Sequence, residues 1–183
     1  MNLQERIGKF RQIKYTRVVR DGQSYAQTEA FVRRVLKICM WTYQRLQSAN
    51  QTARLLRDLI DFVLRRYHGY CIKEKIGAHY REVGITPKDK TDFEHVIPAA
   101  IARDMLLHGY MTVDEALNIP TCIVRRKNHK LLNSTKLAST TPDVFLFWER
   151  YKILNIQVET HQGDLVDMAQ WNLETHYRYF KVL

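Results

Sequence analysis

Asp92-Phe-Glu-His-Val-Ile-Pro98 and Cys122-Ile-Val-Arg-Arg-Lys-Asn-His-Lys-Leu-Leu-Asn133 are the two stretches on which the reading of this chain turns. In the first, residues 92–96 read as a short strand ended by Pro98, which has no N–H to give to a sheet ladder. In the second, the β-branched run Thr121 to Val124 reads as another short strand, and Arg126 to about Asn133 reads as helix. His129 and Asn133 are four apart, so they share a helix face and can reach one ion together. Glu94 and His95 point to opposite faces of a strand unless it ends or twists there. At a strand end, one can bind a metal while the other addresses a bond to be broken.

Outward from these stretches the chain is mostly helical in pattern. Residues 24–46 carry an apolar stripe (Phe31, Val32, Val35, Leu36, Cys39, Tyr43, Leu46) with Arg33, Arg34 and Lys37 off it. Asn50 can cap a second helix whose stripe is Leu55, Leu56, Leu59, Ile60 and Val63, and the pair reads as a helical hairpin. Phe31, Trp41 and Tyr43 are assigned to the core or its margin. A third helix is expected over Cys71 to Val83, stopped by Gly84 and Pro87. Further helices are expected over 99–108, 145–153 and 164–177, with Thr112-Val-Asp-Glu115 opening a short one as a capping box. The first 20 residues alternate basic and apolar, and could be an arm, a short helix or an edge strand. The expected fold is mainly α with a small α+β module: an N-terminal helical region, a strand–strand–helix unit and C-terminal helices. The polar stretch Thr86 to Thr91 divides the chain into regions 1–88 and 89–183.

Composition bounds the partners. The 183 residues are 45% hydrophobic and 11% aromatic, which excludes a disordered low-complexity chain. No apolar run approaches the ~20 residues of a membrane span, and residues 1–15 lack the apolar stretch of a secretory signal. Cys39, Cys71 and Cys122 are too scattered for a disulfide framework, so a reducing, cytoplasmic setting with buried thiols is expected. The net charge of +10 points to a polyanionic partner. It is uneven: residues 1–90 carry 19 basic and 8 acidic side chains, and residues 91–183 carry 10 and 11.

Of the seven histidines, His68, His79, His108, His161 and His176 stand without an acidic or histidine neighbour at ligand spacing, and structural roles are assigned to them. His95 and His129 differ because of their surroundings. Glu94-His95-Val-Ile-Pro98 resembles the opening motif of the HNH (ββα-metal, His-Me finger) nucleases. Residues 122–133 are similar to that family's second strand and metal-binding helix, particularly in phage-type members. The resemblance covers about residues 90–137. It implies a metal-dependent endonuclease with a ββα-metal motif, acting on DNA, or on RNA, in the cytoplasm (that of a bacterial host for a phage-encoded chain). It implies His95 as general base and Glu94, His129 and Asn133 as ligands of a divalent cation, with Asn128 competing for the place of Asn133. Mg2+ or Mn2+ suits a set without thiolate better than a closed zinc site, and Zn2+ stays open. Asn118 is the nearest counterpart of the family's loop-bracing asparagine, although Pro120 falls at about the expected spacing. The paired cysteine knuckles of many members are absent.

Arg125, Arg126, Lys127 and Lys130 would then hold the phosphate backbone beside the helix, and Arg33, Arg34, Arg65 and Arg66 would extend the grip across the N-terminal helices. A homodimer is attractive for cutting both strands. The competing reading is a non-catalytic, basic, helical nucleic-acid-binding or regulatory protein. A third is an interaction module whose basic face meets an acidic protein.

Overall fold

The computed structural model describes residues 22–46, 51–134, 140–141 and 143–182. The first 20 residues and the Asn50 cap lie outside them. Helix α1 (Gly22–Arg45) and helix α2 (Gln51–Tyr67) form the expected hairpin. A π-helical turn over His68–Ile72 continues α2, and the short α3 (Lys73–Ile76) follows. Strand β1 (Tyr80–Glu82), strand β2 (Thr91–His95), α4 (Ala99–Leu107), α5 (Val113–Leu117), strand β3 (Thr121–Arg125) and α6 (Arg126–Ser134) come next. After them come α7 (Glu149–Ile153), strand β4 (Val158–Thr160) and α8 (Leu173–Tyr179). No helix among the described residues is long and apolar enough to cross a membrane.

The four strands form one mixed sheet in the order β2-β3-β1-β4. β2 runs antiparallel to β3, with His95 opposite Thr121 and Thr91 opposite Arg125, and α6 follows β3 without a break. β3 is parallel to β1, which is antiparallel to β4. β2 is therefore an edge strand, open on one side.

The core has two parts. The helical part joins Leu36 of α1, Ile60 and Leu64 of α2, Ala102 and Leu106 of α4, and Ala116 and Leu117 of α5. The other packs Tyr80, Cys122, Val124 and Val158 of the sheet against Phe147, Trp148 and Tyr151. There the Trp148 ring meets Tyr80 and Tyr151 edge-on, with centroids 4.8 and 5.2 Å apart. All three cysteines are free and buried. Thr112 closes α5 with both arms of a capping box.

Several elements differ from expectation. The helix expected over 71–83 ends at Gly77, whose φ of +79° a residue with a Cβ adopts only with strain. The chain then enters the middle of the sheet as β1. The division at residue 88 is consequently not a packing boundary. β1 precedes it yet lies between β3 and β4, while α4 and α5 follow it yet complete the helical core. The C-terminal helices are shorter than expected. Asp143 captures the N–H groups of Phe145 and Leu146, and Asp167 that of Ala169. Asn172 caps α8 by accepting from Thr175. Such local bonds offer the backbone an alternative to helix. Phe31 and Trp41 are exposed, not core, because the stripe that packs is Val32, Leu36 and Cys39.

One side chain ties the second core to the edge strand. Arg150 of α7 has no exposed surface and pairs with buried Glu94 of β2, whose second oxygen accepts from the Tyr151 hydroxyl at 2.9 Å. Removing one member of a buried pair strands the other charge, at a cost of about 3–5 kcal/mol, whereas replacing both with apolar residues is often close to neutral. Arg150→Met is therefore expected to lower the urea unfolding free energy by about that amount, and Arg150→Met with Glu94→Leu by clearly less. Equal losses in the two variants would contradict the pairing.

Candidate active site

His95 ends β2 at the mouth of a cleft of about 330 Å³. Arg65 of α2, Pro98 and Ala99 at the start of α4, and His129 and Asn133 of α6 also line it. The cleft thus lies between the helical hairpin and the strand–strand–helix unit, and α4 turns its positive, N-terminal end toward it. The Nε2 of His95 lies 3.0 Å from Nδ1 of His68, the first residue of the π-helical turn. His68 is fully buried, and its own Nε2 lies 3.1 Å from the Ala116 carbonyl. Among the described residues no partner meets Nδ1 of His95. Burial, reinforced by the Arg65 guanidinium, pulls the His95 pKa down to about 4. Burial and the neighbouring His95 hold His68 well below its ordinary value. Both rings are neutral at neutral pH.

His129 lies on the face of α6 shared with Asn133, as the spacing predicts. Its Nδ1 is 3.2 Å from Oδ2 of Asp92, which also receives Arg126 at 3.1 Å on its other oxygen. Partial burial acts to raise the Asp92 pKa, but the bonds from Arg126 and His129 prevail and leave it below the ordinary carboxylate value. An ionised Asp92 accepting from Nδ1–H leaves Nε2 as the free nitrogen of His129.

Glu94, His129 and Asn133, the ligand set read from the sequence, all line the cleft, but Glu94 is already paired. Glu94 is buried at the cleft wall and its oxygens are spent on Arg150 and Tyr151. Asn128 donates to Glu82 at 2.8 Å, which removes it as the alternative to Asn133. Among the described residues no three of His, Cys, Asp and Glu gather where they could hold an ion.

The basic residues divide in the same way. Arg125 is structural, pairing with buried Glu82 and also donating to the carbonyls of Val83 and Gly84. Arg33 is structural too, bridging Glu29 and Asp114. Lys127 and Lys130 are exposed, and together with Lys90, Arg125 and Arg126 they line a second hollow, of about 400 Å³, that holds a single acid, Asp89. On the hairpin, Arg65 pairs with Asp61 at the cleft, Arg66 lies over the Phe62 ring, and Arg34 is exposed. Asn118 does not brace His95. Its side chain donates to the Asp114 carbonyl, closing α5, and its carbonyl faces Nε2 of His176 at 2.7 Å.

Sequence reasoning missed His68, Asp92 and Arg150. Each acts through a partner 27 to 56 residues away, so no local spacing marks it. Comparison with protein-family models, curated proteins and solved structures finds no match to this chain.

Four histidines are held neutral in the fold, chiefly by burial: His68 and His79 well below the ordinary 6.5, His95 at about 4 and His176 at about 3. Below about pH 6.5 the unfolded chain binds protons that the folded chain refuses, so stability falls as pH falls. Each such histidine contributes a slope of about 1.4 kcal/mol per pH unit, ending near its folded pKa. The urea midpoint is expected to drop steadily between pH 6.5 and 5, above the range where most carboxylates titrate. A flat profile there would contradict neutral, buried imidazoles.

Proposed function

We propose that this chain is a metal-dependent endonuclease of the HNH type that hydrolyses DNA phosphodiester bonds, with His95 as general base. The observation that carries this reading is the cleft. It gathers His95, with one ring nitrogen engaged and the other unpartnered, beside His129, Asn133 and Arg65, on an antiparallel strand pair that runs straight into a helix. The Lys127 and Lys130 hollow flanks the same helix, and Arg65 of the hairpin lines the cleft itself. A phosphate backbone laid across α6 would meet bases on both sides.

A neutral His95 can take a proton from an attacking water. A pKa near 4 makes it a weak base in the free protein. An anionic phosphate entering the cleft favours the protonated form and moves that value toward the working pH. Arg65 and the start of α4 would receive the phosphate charge.

The residues present fit a hard divalent ion in reduced form. His129 offers Nε2 because Asp92 holds Nδ1, the carboxylate–histidine arrangement that orients a ligand. Asn133 offers an amide oxygen one turn later, and Glu94 takes no part. Mg2+ or Mn2+ held there would polarise the scissile phosphate and stabilise charge on the leaving 3′ oxygen. Two neutral donors hold such an ion weakly, so the substrate's own phosphate is the natural third ligand. One site of this kind cuts one strand, and a second copy would be needed to cut both.

One observation favours the competing reading of a basic binding protein without turnover, namely the pairing of buried Glu94 with Arg150. Cleavage assays separate the two. Supercoiled plasmid with Mg2+ or Mn2+ is expected to be nicked, with His95→Ala lowering the rate roughly 10²- to 10⁴-fold and leaving salt-sensitive DNA binding intact. His129→Ala is expected to raise the metal concentration needed. Full cleavage by His95→Ala would overturn the assignment, and salt-sensitive binding with no cleavage under any metal would favour the second reading. RNA cut in place of plasmid would move the substrate and keep the mechanism.

A further inference from the structure

We propose that His68 is a positioning residue, which fixes His95 in the tautomer and orientation that aim its Nδ1 lone pair into the cleft. The inference rests on the reading of His95 as general base. It follows from the direction of two hydrogen bonds. The Ala116 carbonyl, 3.1 Å from His68 Nε2, can only accept, so Nε2 of His68 carries the hydrogen. A neutral imidazole has one N–H, so Nδ1 of His68 is an acceptor. The partner 3.0 Å from it, Nε2 of His95, must therefore be the donor. The His95 ring then has its hydrogen on Nε2 and its free lone pair on Nδ1, the nitrogen that meets no partner among the described residues.

The surroundings hold this chain of bonds in one sense. His68 has no exposed surface, and the Tyr67 ring stands edge-on to it at 5.7 Å while the His95 ring does so at 4.9 Å. Phe93 also stands edge-on to His95, at 5.6 Å. His68 opens the π-helical turn, in which its carbonyl accepts from Lys73. The wider turn interrupts α2 at the residue whose ring must reach β2, and such interruptions are frequent at functional sites. The Ala116 carbonyl belongs to α5, which Thr112 and Asn118 close at its two ends. The helical layer thereby sets the protonation pattern of a residue on the sheet. Removing His68 would leave the Nε2–H of His95 without an acceptor and free the ring to exchange tautomers.

Long-range 1H–15N spectra of the full chain labelled with 15N-histidine, at pH 7.5, test this without reference to activity. The expected spectrum shows His95 and His68 both as Nε2–H tautomers. In His68→Phe the His95 signals should move toward the Nδ1–H tautomer, and kcat for plasmid nicking should fall roughly 10²-fold with KM little changed. His68→Gln, which offers an amide oxygen to His95 and an N–H to Ala116, should restore much of the tautomer and the rate. A wild-type His95 carrying its hydrogen on Nδ1 would overturn the proposal, even if His68→Phe failed to fold. An unchanged tautomer in a folded His68→Phe would do the same. The spectra decide the matter even if the wild-type chain cuts nothing, an outcome that overturns the nuclease reading alone.

Discussion

Arg150 of α7 loses all contact with water and pairs with Glu94 while also donating to the His95 carbonyl at 3.3 Å. Two desolvated charges are tolerated only where their geometry is held, and here the Tyr151 hydroxyl and the packed Trp148 supply that. The end of β2 is consequently pinned by α7. A strand at the edge of a sheet has one side without ladder bonds and would otherwise fray at its last residue. His95 is that residue. The arrangement of His95 against His68 depends on the strand end staying where Arg150 holds it.

The cleft forms where the two parts of the core meet. From the helical side come His68, Arg65 and the start of α4, and from the sheet side come His95, His129 and Asn133. Neither side holds the site alone. The charge of the chain follows the same plan only in part. Arg33 and Arg125 are consumed by internal ion pairs, so the formal excess overstates what a polyanion meets. Arg65 and Arg126 are paired as well, with Asp61 and Asp92, and the exposed lysines Lys127 and Lys130 line the neighbouring hollow.

Much of the local structure was legible because it depends on near neighbours. The apolar stripes of α1 and α2, the Thr112 capping box, and the β-branched run before α6 each declare themselves within a few residues. Where a local rule was outvoted, the reason is visible. Gly77 ends a helix that the residues on either side could have continued, since β1 gains partners on both of its edges. Asp167 and Asn172 turn the chain where amphipathic spacing suggested helix.

The same division holds at the site. The sequence by itself determined that His95 would lie in a short strand and that His129 and Asn133 would share a helix face, because strand and helix periods are short-range properties. Tertiary structure alone decided that Glu94 would turn inward to Arg150, that Asp92 would take the neighbouring role beside His129, and that a histidine 27 residues upstream would hold His95. Those outcomes depend on which side chains are desolvated together. Burial sets the cost of leaving a charge or an N–H unpaired, and that cost exists only once the sheet, α7 and the helical hairpin have closed around the strand.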